Sequence, residues 1–191
     1  GTTHRPNEKG CPMKKTITAV LAASLLISGA AQATPALLGI KAQITTVGEL
    51  RAKYENAEMI AARTAEFDGP IYRVTGEETG AEGVHEARFI FNRNGIPVSM
   101  TGVFDRNRFD HINLILGTRY KLIHHNSRPG VENRLRSAWY QTGDRANTIV
   151  SITAPEGGDK VYVTYADQAT RNKIQATLET MEEPEPRHWW Q

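Results

Sequence analysis

The chain has 191 residues, 39% of them apolar and 23% charged, with Lys+Arg 23 against Asp+Glu 21 and one cysteine. Residues 1–33 hold four of the basic side chains, one of the acidic and that cysteine, Cys11, so the remaining 158 carry 19 basic against 20 acidic groups. A near-neutral body gives no electrostatic case for a nucleic-acid partner, and without cysteine it excludes disulfides, thiol nucleophiles and thiolate metal sites.

Residues 1–12, "GTTHRPNEKGCP", have no apolar periodicity and read as an upstream stretch outside the fold. A leader begins at Met13. Lys14 and Lys15 form a positive n-region, "TITAVLAASLLISGA" is an apolar run too short to span a bilayer, and Ala31-Gln32-Ala33 is a small-x-small cleavage site. A bacterial signal peptide over 13–33, cleaved after Ala33, is therefore expected. It implies a periplasmic or secreted product with no stable membrane insertion.

The body alternates helical and extended patterns. Thr46 followed by Glu49 is a capping-box pair, and Val47, Leu50, Tyr54 and Ala61 keep helical spacing, so a helix is expected from about 47 to 65, stopped by Asp68-Gly69-Pro70. "IYRVTG" reads as a short strand and "HEARFIFN" as a second, with Ala87, Phe89 and Phe91 on one face. Asn94-Gly95 predicts a type I′ hairpin into "IPVSMTGVF", whose Pro97 suggests a strand beginning near a sheet edge. Phe109, Ile112, Leu116 and Tyr120 predict a second helix from about 107 to 121.

A polar loop, "HHNSRPGVEN", leads into three strands, "RLRSAWYQTG", "NTIVSITAP" and "KVYVTYA", the last two joined by Glu156-Gly157-Gly158-Asp159. Asp167 caps a final helix carrying Ala169, Ile174, Leu178 and Met181. Residues 183–191 form a flexible acidic tail whose Trp189 and Trp190 could dock on the body.

This order, helix-βββ-helix-βββ-helix, implies an α+β fold with antiparallel sheet packed by helices. The halves also agree in detail. Leu50/Tyr54 matches Leu116/Tyr120, Tyr72 with Thr75-Gly76 matches Tyr140 with Thr142-Gly143, and each half has a glycine hairpin. A tandem duplication of an αβββ unit is therefore expected, with units at 40–105 and 106–182. A lone unit of that size leaves one sheet face poorly covered, and a second copy completes the core.

That repeated order, over most of residues 40–182, resembles small exported bacterial modules in which a helix packs on an antiparallel sheet. They occur singly in the BamE outer-membrane assembly lipoproteins and in tandem in the β-lactamase inhibitory proteins. The resemblance implies protein binding or inhibition in the envelope, and it brings no functional residues with it.

Signatures of catalysis are missing from the sequence: there is no Gly-rich phosphate loop, no His-Glu-x-x-His and no Gly-x-Ser-x-Gly. His124 and His125 are adjacent, so in extended chain they point to opposite faces and make a poor chelating pair. The segment from Arg88 to Arg136 holds nine basic against three acidic residues. Arg106, Arg108, Arg119, Arg128, Arg134 and Arg136, with Trp139 and Tyr140 as aromatic anchors, are the candidate binding residues, because guanidinium forks suit carboxylates and phosphates and aromatic side chains anchor interfaces.

The expected function is that of an exported, non-catalytic binding or inhibitor protein of the bacterial envelope, with another envelope or extracellular protein as partner and no cofactor or metal. Two alternatives differ in class. One is a periplasmic hydrolase using His111, His124 or His125 in a cleft between the halves, and the other is a binder of an anionic envelope polymer.

Overall fold

The computed structural model describes Gly1 and residues 34–126 and 134–173. The chain divides into two units, Gly1–Ala31 and Gln32–Gln191, and the description below concerns the second. The leader, its cleavage site, Arg128, the final helix beyond 173 and the acidic tail lie outside the described residues.

A short hairpin, β1 (Ala36–Leu37) and β2 (Ile40–Lys41), precedes helix α1 (Val47–Lys53). The expected capping box is present: the Glu49 N–H donates to Thr46 Oγ1 at 3.2 Å, and the Thr46 N–H donates to the Glu49 carboxylate at 2.7 Å. The helix stops well short of residue 65. Tyr54 is its C-cap in extended backbone, with its N–H donating to Leu50 O at 2.8 Å and its hydroxyl to Leu38 O at 2.7 Å.

Beyond the buried Leu50 and Tyr54 the helical stripe would have continued only through the small Ala57 and Ala61. The chain instead turns, the Asn56 N–H is held by the Glu78 carboxylate at 2.7 Å, and Glu58–Ala61 become strand β3. Next come β4 (Ile71–Thr75), a one-turn helix α2 (Gly76–Thr79), β5 (Val84–Phe91) and β6 (Pro97–Asp105). A 3-10 turn (Arg106–Arg108) opens helix α3 (Phe109–Arg119), whose C-cap Tyr120 donates its N–H to Leu116 O at 2.9 Å. The rest is β7 (Lys121–Asn126), β8 (Arg136–Gln141), β9 (Ile149–Ala154) and β10 (Lys160–Ala166), with residues 168–173 helical.

Strands β3 to β10 form one antiparallel sheet in the order β3-β4-β5-β6-β10-β9-β8-β7. The α+β antiparallel class is as expected, but each half contributes four strands, not three. The additional strands, β3 and β7, come from segments read as the end of a helix and as a loop, and both form sheet edges. Two further corrections concern β6. It lies at the centre of the sheet, and Pro97 is tolerated because it is the strand's first residue, where β10 no longer pairs. The turn before it is not type I′: Asn94 keeps negative φ, and Gly95 alone takes the left-handed region at φ +70, after a turn closed by the Gly95 N–H donating to Asn92 O at 2.9 Å.

Cross-strand pairing puts Tyr72, Phe89, Met100, Tyr165, Val150 and Tyr140 in one row, with Val74, Ala87, Gly102, Val163, Ile152 and Ala138 beside it. Except for Gly102, all belong to the apolar core, together with Leu50 of α1, Phe109 and Leu116 of α3 and Leu37 of the hairpin. Burying each large side chain contributes about 1.5–3 kcal/mol relative to exposure. Gly102 sits at the β6/β10 seam, where a Cβ would lie 2.7 Å from Phe104 Cε2 and 3.2 Å from Leu37 Cδ1. The absence of a side chain there lets the hairpin pack onto the seam.

Residues alternating with these point to the sheet's second face. One row crosses all eight strands: Glu58, Arg73, Arg88, Thr101, Thr164, Ser151, Trp139 and His124. Among the described residues no helix is long and apolar enough to cross a membrane.

Candidate binding surface

Helix α3 lies on the core face of the second half. Phe109 and Leu116 are buried, and the Tyr140 hydroxyl donates to Asn113 Oδ1 at 2.6 Å. The Arg136 guanidinium stacks on the Phe109 ring at 4.1 Å and donates to Asp110 at 2.6 Å. That hydrogen bond, partly opposed by desolvation, holds the Asp110 carboxyl below the usual carboxylate range. Tyr140 and Arg136 therefore clamp α3 onto β8.

Arg106 is also committed to the fold. Its guanidinium donates to the carbonyls of Pro155, Gly158 (3.0 Å) and Arg134 (2.7 Å), tying the β9–β10 turn to the entry of β8. The side chain of Arg108 runs over Gly83, where a Cβ would meet its Cδ at 3.3 Å. Arg134 is exposed beside this cluster, and Arg119 is exposed at the opposite end of α3. The eight singled-out residues thus do not make one face. Arg106, Arg134 and Arg136 come together through shared bonds or adjacency, Tyr140 is core, and Trp139 points to the other side of the sheet.

The exposed apolar surface gathers elsewhere in the same half. Strand β7 leaves directly from the α3 C-cap, and all six of its residues are exposed. An irregularity between Leu122 and His124 lets Leu122 oppose Tyr140 on the core face while His124 opposes Trp139 on the second face. The His124 and Trp139 rings meet edge-on at 5.9 Å, and the Arg171 guanidinium covers the Trp139 ring at 4.4 Å. Burial lowers the Arg171 pKa from its ordinary value.

Of the nine large apolar side chains exposed among the described residues, six fall between Leu114 and Trp139: Leu114, Ile115, Leu122, Ile123, Leu135 and Trp139. Among the described residues strand β7 is also the last strand on its side of the sheet. In the sequence only Trp139 of this group stands out. The adjacent Leu122-Ile123 pair after a helix-ending tyrosine was the available signal for an edge strand.

His124 and His125 do point to opposite faces, opposing Trp139 and Ala138. Among the described residues no group of three or more His, Cys, Asp or Glu side chains is arranged to hold a metal ion. On the first half of the second face, Arg73 pairs with Glu58 and lies 4.0 Å from Glu86, which pairs with Arg88 at 2.9 Å, so these four charges balance. Set against known proteins, the chain matches no family model, no curated protein and no solved structure.

Proposed function

We propose that the chain is an exported, non-catalytic binding protein of the bacterial envelope, periplasmic or secreted, that engages another protein through the α3–β7–β8 edge. The observation that carries this reading is the run of exposed apolar side chains on α3 and the edge strand β7, with Leu122 on the core face of that edge and Trp139 on its second face. Grouped apolar surface of this kind favours a macromolecular partner. Leu122, Ile123 and Trp139 supply contact area, Arg134 and Arg119 a polar rim, and Arg106, Arg136 and Tyr140 hold the surface in shape.

The same reading makes the molecule a tandem duplication of a helix followed by four strands. Support comes from the mirrored strand order about the β6/β10 seam and from the two tyrosine caps, Tyr54 on Leu50 O and Tyr120 on Leu116 O. The hydrolase alternative is weakened because His124 and His125 face opposite ways, and the polymer alternative because Arg106 and Arg136 are already engaged.

Capture from envelope extract at low and high salt tests this, with the mature chain and a Leu122→Asp/Trp139→Ala variant as baits. A protein held by the former in high salt and lost from the latter is expected. Equal capture by both baits would sink the surface assignment, and capture that vanishes with salt would favour an anionic polymer.

A further inference from the structure

At the end of the first half, the β3–β4 connection and the β5–β6 turn enclose an open cleft of about 380 Å³, lined in part by Arg63, Asp68, Gly69, Asn92 and Arg93. Close backbone packing draws its walls together. A Cβ on Gly69 would lie 2.2 Å from Phe91 O and 2.5 Å from Asn92 O, so only glycine fits, and the Phe91 N–H donates to Pro70 O at 2.9 Å. The connection closes on itself through the Thr64 N–H donating to Gly69 O at 3.1 Å and the Asp68 N–H donating to Thr64 O at 2.9 Å.

The lining side chains differ in how far they are already engaged. Asn92 Oδ1 already accepts from the Asn94 N–H at 2.9 Å and the Ile96 N–H at 3.2 Å, which leaves the Asn92 amide NH₂ as its free function. Asp68 is occupied by Arg63. Arg93 has no ion pair among the described residues, and its guanidinium offers five donors in a planar fork. The lining thus carries two guanidiniums against one carboxylate, in a volume within the range of small-ligand sites.

We propose that this cleft binds a small anionic molecule by its oxyanion group, carboxylate or phosphate, with Arg93 and the Asn92 amide as the principal donors, beside the Arg63–Asp68 ion pair. The site is separate from the partner surface at the opposite edge of the sheet and does not depend on it.

Titrating the ¹⁵N-labelled full chain with inorganic phosphate, and separately with acetate, tests it by amide and Arg Nε–H shifts. Saturable shifts at Arg93 and Gly95 with a dissociation constant of about 1 mM or tighter are expected with at least one anion, and the anion that saturates identifies the oxyanion class. Arg93→Ala should weaken that binding at least tenfold while leaving the shifts of core residues such as Phe89 in place. Shifts that stay linear for both anions, or that persist unchanged in Arg93→Ala, would overturn the assignment.

Discussion

Thr101 and Thr164 face each other across the seam between β6 and β10, 63 residues apart in the chain, with their hydroxyl oxygens 3.1 Å apart in one shared hydrogen bond. Replacing Thr101 alone with valine strands the Thr164 hydroxyl and should cost about 1 kcal/mol, whereas replacing both should recover most of that loss. Urea unfolding of the singles and the double gives the coupling directly, and strictly additive losses would show that the pair contributes nothing.

Gly102→Ala inserts a methyl group against Phe104 and Leu37. The expected destabilisation is about 1–3 kcal/mol. Most of the penalty should remain in a Leu37→Ala background, where Phe104 still blocks the position, and only the smaller part due to Leu37 should be relieved. Thermal unfolding of the four chains reads this, and a penalty abolished in the Leu37→Ala background would mean that Phe104 is not the main obstacle.

Arg106→Lys removes the fork that spans the carbonyls of Pro155, Gly158 and Arg134. A lysine ammonium cannot reach all three with the same geometry, and about 2 kcal/mol of stability should be lost. The exposed Arg119→Lys change should stay within about 0.5 kcal/mol. Equal effects at both positions would contradict the tie between the β9–β10 turn and β8.

Burial pushes the Tyr165 phenol well above its ordinary pKa, with nearby Tyr120 adding to the shift and Arg119 opposing it. The raised value means the folded state keeps its proton when the unfolded chain releases it. The stabilisation is complete below about pH 10 and is lost as pH rises toward the folded value. Unfolding free energy should therefore fall by up to about 1.4 kcal/mol per pH unit above pH 10 from this group. Tyr54, Tyr120 and Tyr140 are raised by burial too, so Tyr165→Phe should flatten the alkaline limb without abolishing it. An unchanged slope in that variant would contradict the shift.

Local features with one dominant cause were legible in the sequence. The Thr46/Glu49 capping box and the alternating Ala87, Phe89 and Phe91 act within a few residues of themselves. What escaped depends on distant neighbours. Met59 and Ile60 suit a helix as well as a strand, and only β4, more than ten residues later, offers them a ladder. The central position of β6 is set by β10, which no residue near Pro97 announces.

The binding residues divide in the same way. A guanidinium count could not distinguish Arg106, whose donors end on three carbonyls, from the exposed Arg134. The alternation of Trp139 and Tyr140 on opposite faces follows from strand geometry once β8 is recognised. The cleft at Arg93 joins two segments more than twenty residues apart and had no local mark.

The mirrored strand order also sets a schedule for synthesis. Strand β6 is complete when the first half leaves the ribosome, but its partner β10 is the last strand among the described residues, so a central edge stays unpaired while about 63 residues follow. At roughly 5–20 residues per second that interval is on the order of 3–13 s. For that time the nascent chain carries an open β-edge with Met100 and Val103 beside it, and this edge is where chaperone attachment and intermolecular pairing would compete with completion of the sheet.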